Sequence, residues 1–139
     1  MENKTVILNW IKATDANDSA ALEKLFGPRH QFYGPFGPDP MGMAQHVGML
    51  KSFESSFSNV GHEVLDLFEA GNKVVLRGIW VGTQIGEFNG IPASGKTVRS
   101  PFISIFEIDN GEIINQWLQF DLMSFTGQMG AGPQGQSAN

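Results

Sequence analysis

Asp121 is the only acid after Glu112 in this 139-residue chain, and it interrupts an apolar stretch, NQWLQFDLMSFTGQMG (115–130). A lone carboxylate there has two readings. Standing just before LMSFTGQ, it can cap a short helix by accepting an orphan backbone N–H. Set in an apolar pocket, it would be desolvated, its pKa would rise, and it would suit removal of a proton from carbon beside a carbonyl. In an extended strand Trp117, Gln119 and Asp121 share one face. That gives an aromatic wall, a hydrogen-bonding amide and an acid in a row.

The three histidines, His30, His46 and His62, have no spacing of the HExxH kind, so no metal is expected. His46 lies at the edge of an apolar helical stripe, where a structural or surface histidine is the ordinary reading. Inside a pocket it would be a second titrating group. His62 opens a strand and is expected to be exposed. His30 sits in a loop and could be a lid residue. Arg77 and Arg99 read as surface or ion-paired cations in mid-strand. Trp80, Phe102, Phe106 and Trp117 supply either core or ligand wall. The glycines of GTQIGEFNGIPASG read as turn chemistry rather than a phosphate cradle, so no nucleotide cofactor is expected.

Composition narrows the classes. Net charge is −5, and the nine Lys and Arg are scattered, which argues against a phosphate-neutralising nucleic-acid binder. Without cysteine there is neither disulfide nor thiolate chemistry. No stretch approaches the roughly 20 apolar residues of a membrane span. The polar start, MENKTVILNWIKATD, does not read as a secretion signal, so a cytoplasmic protein is expected. Eleven Phe, six Met and three Trp can line a cavity as well as fill a core.

These residues must be positioned by helices first and strands second. Ile7, Trp10 and Ile11 predict a helix over residues 3–14. Asp18 or Ser19 can cap a second, SAALEKLFG, ended by Gly27-Pro28. A Pro/Gly-rich loop holding His30, Phe32, Tyr33 and Phe36 follows. A third helix, PMGMAQHVGMLKSFESSF, has Met43, Val47, Leu50, Phe53 and Phe57 on one stripe. Four long strands are then expected in HEVLDLFEAG, KVVLRGIWVGTQIG, TVRSPFISIFEI and GEIINQWLQFD. Gly71-Asn72 and Asp109-Asn110-Gly111 mark turns, and Pro101 marks a bulge or an edge position. This is an α+β order, helices on one face of an antiparallel sheet. The strands are apolar on both faces, so a second subunit is expected against the outer one. One domain is expected over 1–130, with a tail at 131–139.

The strand region resembles the SnoaL-like polyketide cyclase family, within the nuclear transport factor 2 or ketosteroid isomerase fold group. The resemblance rests on Gly71, Val74-Val75 and Arg77; on Gly82-Thr83, Gly86-Glu87-Phe88, Gly90-Ile91-Pro92 and Gly95-Lys96; on Asn110-Gly111-Glu112-Ile113; and on Trp117, Asp121 and Gln128-Met129-Gly130. It implies a cone-shaped fold, a curved antiparallel sheet around the N-terminal helices with an internal apolar pocket, often in a homodimer. It also implies a cofactor-independent cyclase, lyase or isomerase acting on a small apolar carbonyl compound. Asp121 would be its general acid/base, and Trp117, Gln119, His46, Trp80, Phe102 and Tyr33 would surround the substrate. A non-catalytic small-molecule-binding protein of the same fold is the alternative. Two amides, Gln84 and Gln116, stand where many family members carry histidine, and amides do not titrate near neutral pH. Arg99 lacks the acid two residues on that limonene epoxide hydrolases of this fold require, Pro101 standing there instead. Tyr33 is the sole tyrosine, which leaves no ketosteroid isomerase set.

Overall fold

The structure is a computed structural model and describes residues 2–130. The expected tail, 131–139, lies outside the described residues. The elements run α1 (Asn3–Asp15), α2 (Ser19–Phe26), β1 (Gln31–Tyr33), α3 (Met43–Ser56), β2 (Phe57–Ala70), β3 (Lys73–Gln84), β4 (Thr97–Asp109), β5 (Glu112–Phe120) and α4 (Leu122–Gly127). Local chemistry sets the ends. Asp18 accepts from the Ala21 N–H at 3.1 Å and caps α2. Asn110 and Gly111 both have positive φ in the two-residue turn joining β4 to β5, as a type I′ hairpin requires.

The strands form one curved, unclosed sheet in the order β1-β5-β4-β3-β2. Four strands are antiparallel as expected. The fifth, β1, comes from the Pro/Gly-rich loop and pairs parallel to β5, with Phe32 opposite Gln116. Three residues are too few to show a strand period, which is why the sequence reads there as loop. Pro101 sits in the inner strand β4, opposite Ile79 and one residue before pairing with β5 begins.

Alternation along β4 sends Val98, Ser100, Phe102, Ser104, Phe106 and Ile108 inward and Arg99, Pro101, Ile103 and Ile105 outward. Helix α1 lays Val6, Ile7, Trp10 and Ala13 on the inner face. A second apolar cluster, Phe57, Phe88, Val98, Phe125 and Met129, closes one end of the cone. Among the described residues, no helix is long and apolar enough to cross a membrane.

Gln84, fully buried, ties down the β3–β4 loop. Its Nε2 donates to the Gly86 and Ile91 carbonyls, both at 3.1 Å. Its Oε1 accepts from the Ser94 N–H at 3.1 Å and from Ser94 Oγ at 2.6 Å. Every hydrogen-bonding capacity of the amide is thereby used.

Candidate functional site

The sheet's inner face is a set of rows read directly from strand register. His62, Trp80 and Ser100 lie side by side on β2, β3 and β4. Next come Gly78, Phe102 and Phe120, then Leu76, Ser104 and Leu118, then Val74, Phe106 and Gln116. Gly78 has no side chain, and a Cβ there would meet the Phe102 ring and the Glu63 carbonyl. Between these rows and helices α1 and α3 lies a cavity of about 100 Å³. Its wall is mostly aromatic and aliphatic. The polar side chains in it are Thr14, Asn17, His46, His62, Ser100 and Gln116, together with the indole of Trp10.

Two histidine pairs serve this wall. The side chain of His62 is buried, contrary to the exposure expected from its place in a strand, because an irregularity in β2 between Ser58 and Gly61, with Asn59 at positive φ, resets the alternation and turns residue 62 inward. Its Nδ1 donates to Asp15 Oδ1 at 2.6 Å. Asp15 is the last residue of α1 and is partly exposed. In the neutral ring this bond places the proton on Nδ1 and leaves the lone pair on Nε2. The ring stands edge-on to Trp10 and Phe102, with centroids 5.5 and 5.7 Å away.

The second pair joins the loop to α3. His30 is fully buried rather than a lid residue. Its Nδ1 donates to the Ile113 carbonyl at 2.6 Å, and its Nε2 lies 2.8 Å from His46 Nδ1. Since a carbonyl only accepts, the proton on His30 is at Nδ1, so His46 Nδ1 is the donor in the second bond. The residual lone pair of His46 is on Nε2. Phe26 stacks on both imidazoles, at 4.0 Å from His30 and 4.7 Å from His46, and Phe32 stacks on His46 at 3.9 Å. Burial pushes the His30 pKa down to about 4, partly opposed by the Ile113 carbonyl. Burial, and then repulsion from His30, holds His46 well below its ordinary range. Both rings are neutral at neutral pH.

The expected site residues separate into two groups. His46, Trp80 and Phe102 line the cavity. Trp117, Gln119 and Tyr33 do not. Trp117 pairs with outward Ile105, and its ring stacks on Tyr33 at 5.7 Å on the outer face. Gln119 pairs with Ile103 and lies in a shallow outer groove with Leu65, Arg77 and Pro101. The face of β5 that looks inward carries Gln116, Leu118 and Phe120 instead. Asp121 is exposed and caps α4, its Oδ1 accepting from the Ser124 N–H at 3.0 Å. Its neighbours Phe120 and Phe125 reach the cavity wall, but Asp121 does not. Arg77 and Arg99 pair on the surface with Asp66 and Glu63.

Three residues that sequence reasoning passed over are Trp10, Thr14 and Gln116 as cavity groups. Trp10 and Thr14 stand four apart on α1, one above the other. That spacing, continuing the helical stripe of Ile7, was available in the sequence.

The sequence profile of the SnoaL-like polyketide cyclase family matches residues 4–129. The chain belongs to that family. Solved structures agree on the fold. IdmH of Streptomyces antibioticus is 21% identical with a TM-score of 0.83, over 94% of this chain and 100% of IdmH. TsrD of Streptomyces laurentii is 26% identical with a TM-score of 0.80, over 92% of this chain and 94% of TsrD. A nuclear transport factor 2-like protein of Burkholderia pseudomallei is 14% identical with a TM-score of 0.77, over 94% of this chain and 100% of that one. No curated protein matches the chain. Within this SnoaL-like chain, the amide at Gln84 is a loop clamp and the amide at Gln116 is a cavity residue, so the two positions differ in kind.

Proposed function

We propose that this SnoaL-like protein is a cofactor-independent acid/base catalyst for a small, mainly apolar carbonyl compound, of the cyclase, lyase or isomerase type. One observation carries the reading: a carboxylate-oriented histidine, His62 on Asp15 at 2.6 Å, set in the wall of an apolar cavity. Asp15 holds the imidazole's angle and tautomer and stabilises the imidazolium that forms when Nε2 takes a proton. In a ring closure of the aldol kind, His62 Nε2 removes a proton from carbon beside the carbonyl. The C–H electrons pass into an enolate, which attacks a second carbonyl of the same molecule. The proton then returns to the new alkoxide oxygen. Family membership and the description of IdmH as a candidate polyketide cyclase support this chemistry. The cap geometry of Asp121 favours His62 over it as the reacting group.

The test needs no knowledge of the natural substrate. Hydrogen–deuterium exchange beside the carbonyl of cyclohexanone, followed by proton NMR in D₂O, reports the proton-abstraction step alone. The wild-type protein should accelerate it beyond free imidazole at equal concentration. His62→Gln should lose the acceleration while remaining folded. Acceleration unchanged in His62→Gln sinks the assignment, and none in the wild type favours the binding-only reading. That second reading draws on the two amides, Gln84 and Gln116, neither of which can move a proton.

A homodimer belongs to the same proposal. The outer sheet face exposes Leu65, Ile103 and Ile105, and a second copy would cover them. Ile103→Lys should halve the mass seen by light scattering if it does.

A further inference from the structure

Among the described residues, three buried side-chain atoms have no hydrogen-bond partner: Trp10 Nε1, Thr14 Oγ1 and Gln116 Oε1. All three belong to cavity-lining residues. Leaving such atoms unpaired costs folding free energy, so three around one cavity call for a common partner. Trp10 and Gln116 share Phe106 as a neighbour. The Trp10 ring packs on Phe106 at 5.0 Å, and Phe106 is the cross-strand neighbour of Gln116. Thr14 follows Trp10 by one helical turn. Gln116 Nε2 faces Ser104 Oγ at 3.4 Å, which turns Oε1 away as the free acceptor.

The chemistry of the three atoms is complementary. Trp10 Nε1–H only donates, Gln116 Oε1 only accepts, and Thr14 Oγ does either. A bare carbonyl can satisfy Trp10 and Thr14 but leaves Gln116 unpaired. A hydroxyl accepts from the indole and donates to the amide at once. We propose that this niche anchors a hydroxyl group of the ligand, so that the cavity selects hydroxylated compounds over the corresponding plain ketones. The inference rests on the reading of the cavity as a ligand site and narrows its substrate class to hydroxy-carbonyl compounds. The anchored hydroxyl is a second group on the substrate, beside the carbonyl that His62 activates; Trp10 lies between His62 and Phe106 and so connects the two positions.

Cyclohexanol and cyclohexanone have the same ring and differ only at the oxygen. Their affinities are measured by NMR titration of the folded chain. In the wild type cyclohexanol should bind about three- to tenfold tighter than cyclohexanone. Gln116→Met, close in volume and apolar, should abolish that preference. Trp10→Phe, which removes the donor together with the five-membered ring, should weaken both probes alike. Equal wild-type affinities, no binding of cyclohexanol at millimolar concentration, or a preference that survives in Gln116→Met overturns the proposal. Failure of the catalytic reading is distinct: His62→Gln would then leave exchange unaffected whichever way the alcohol preference falls.

Discussion

His46 Nδ1 stands 2.8 Å from His30 Nε2, and the two ring planes lie 9° from parallel. Each imidazole spends its one proton on a named acceptor, Ile113 for His30 and His30 for His46. An added proton has to go onto the Nε2 of one ring. On His30 it breaks the inter-ring bond, and on His46 it charges a ring enclosed by Phe26 and Phe32.

Stability should therefore fall in acid. The folded His30 pKa is about 4 against an ordinary 6.5, and His46 is shifted the same way. Between those values the unfolded chain binds more protons than the folded one. The contribution is fully present above 6.5 and is lost as the pH falls towards 4. His30 alone accounts for roughly 3 kcal/mol at most. Urea unfolding at about pH 7.5 and about pH 5, where carboxylates remain largely ionised, should show a clear drop in midpoint. His46→Gln should show a smaller drop over the same interval; an equal one refutes the assignment.

Removing the α4 cap should cost stability and little else. Asp121→Ala is expected to lose about 1 kcal/mol, and Asp121→Ser to recover most of it. Cyclohexanone exchange should continue at the wild-type rate in both. Exchange abolished with stability intact would make Asp121 the reacting group after all.

Asp15→Asn tests the partner of His62 without touching the imidazole. An amide can present its NH₂ to Nδ1 and hold the ring in the wrong tautomer. Exchange should fall about 100-fold or more while cyclohexanone affinity stays put. A parallel fall in affinity would instead mean that Asp15 shapes the cavity.

Gln84→Leu should free the loop of residues 85–96. It takes the Gln84 amide from the Gly86 and Ile91 carbonyls and from the Ser94 N–H and hydroxyl, while Ile91 keeps the Phe88 N–H and Ser94 Oγ keeps the Lys96 N–H, a loss of roughly 2–4 kcal/mol. Gln84→His cannot meet four partners with two ring nitrogens and should fall between. Amide exchange of Phe88, Ile91 and Ser94 should quicken in both variants, and unchanged protection would refute the clamp.

The α+β cone was legible because β4 alternates without interruption from Val98 to Ile108 and because Asn110-Gly111 fixes the hairpin that follows. The face of β5 was not legible. Both of its alternating sets hold large apolar residues, Trp117 on one and Leu118 and Phe120 on the other, so period alone cannot choose between them. A register shift after Glu107 decides it, placing Ile108 opposite Ile113 and turning Gln116 inward. The histidine pairs were hidden for a related reason. His62 meets Asp15 across 47 residues, and His30 meets His46 from the position just before a three-residue strand that has no sequence period. His46 at the edge of its helical stripe was the part of the site the spacing did expose.

The short parallel strand has a consequence for how the protein is made. His30 and the carbonyl it needs are 83 residues apart, and β1 has no other strand beside it. During synthesis α1, α2 and β1 leave the ribosome long before β5 exists. Until β5 emerges, the imidazole pair lacks the carbonyl that sets its tautomers, and β1 has only its bridge to Met41, which holds the Phe32 N–H and carbonyl. A nascent chain halted after the β4–β5 turn should stay sensitive to protease across its first third, and one carrying β5 and α4 free of the tunnel should not. The last strand to be translated is the one that completes the first.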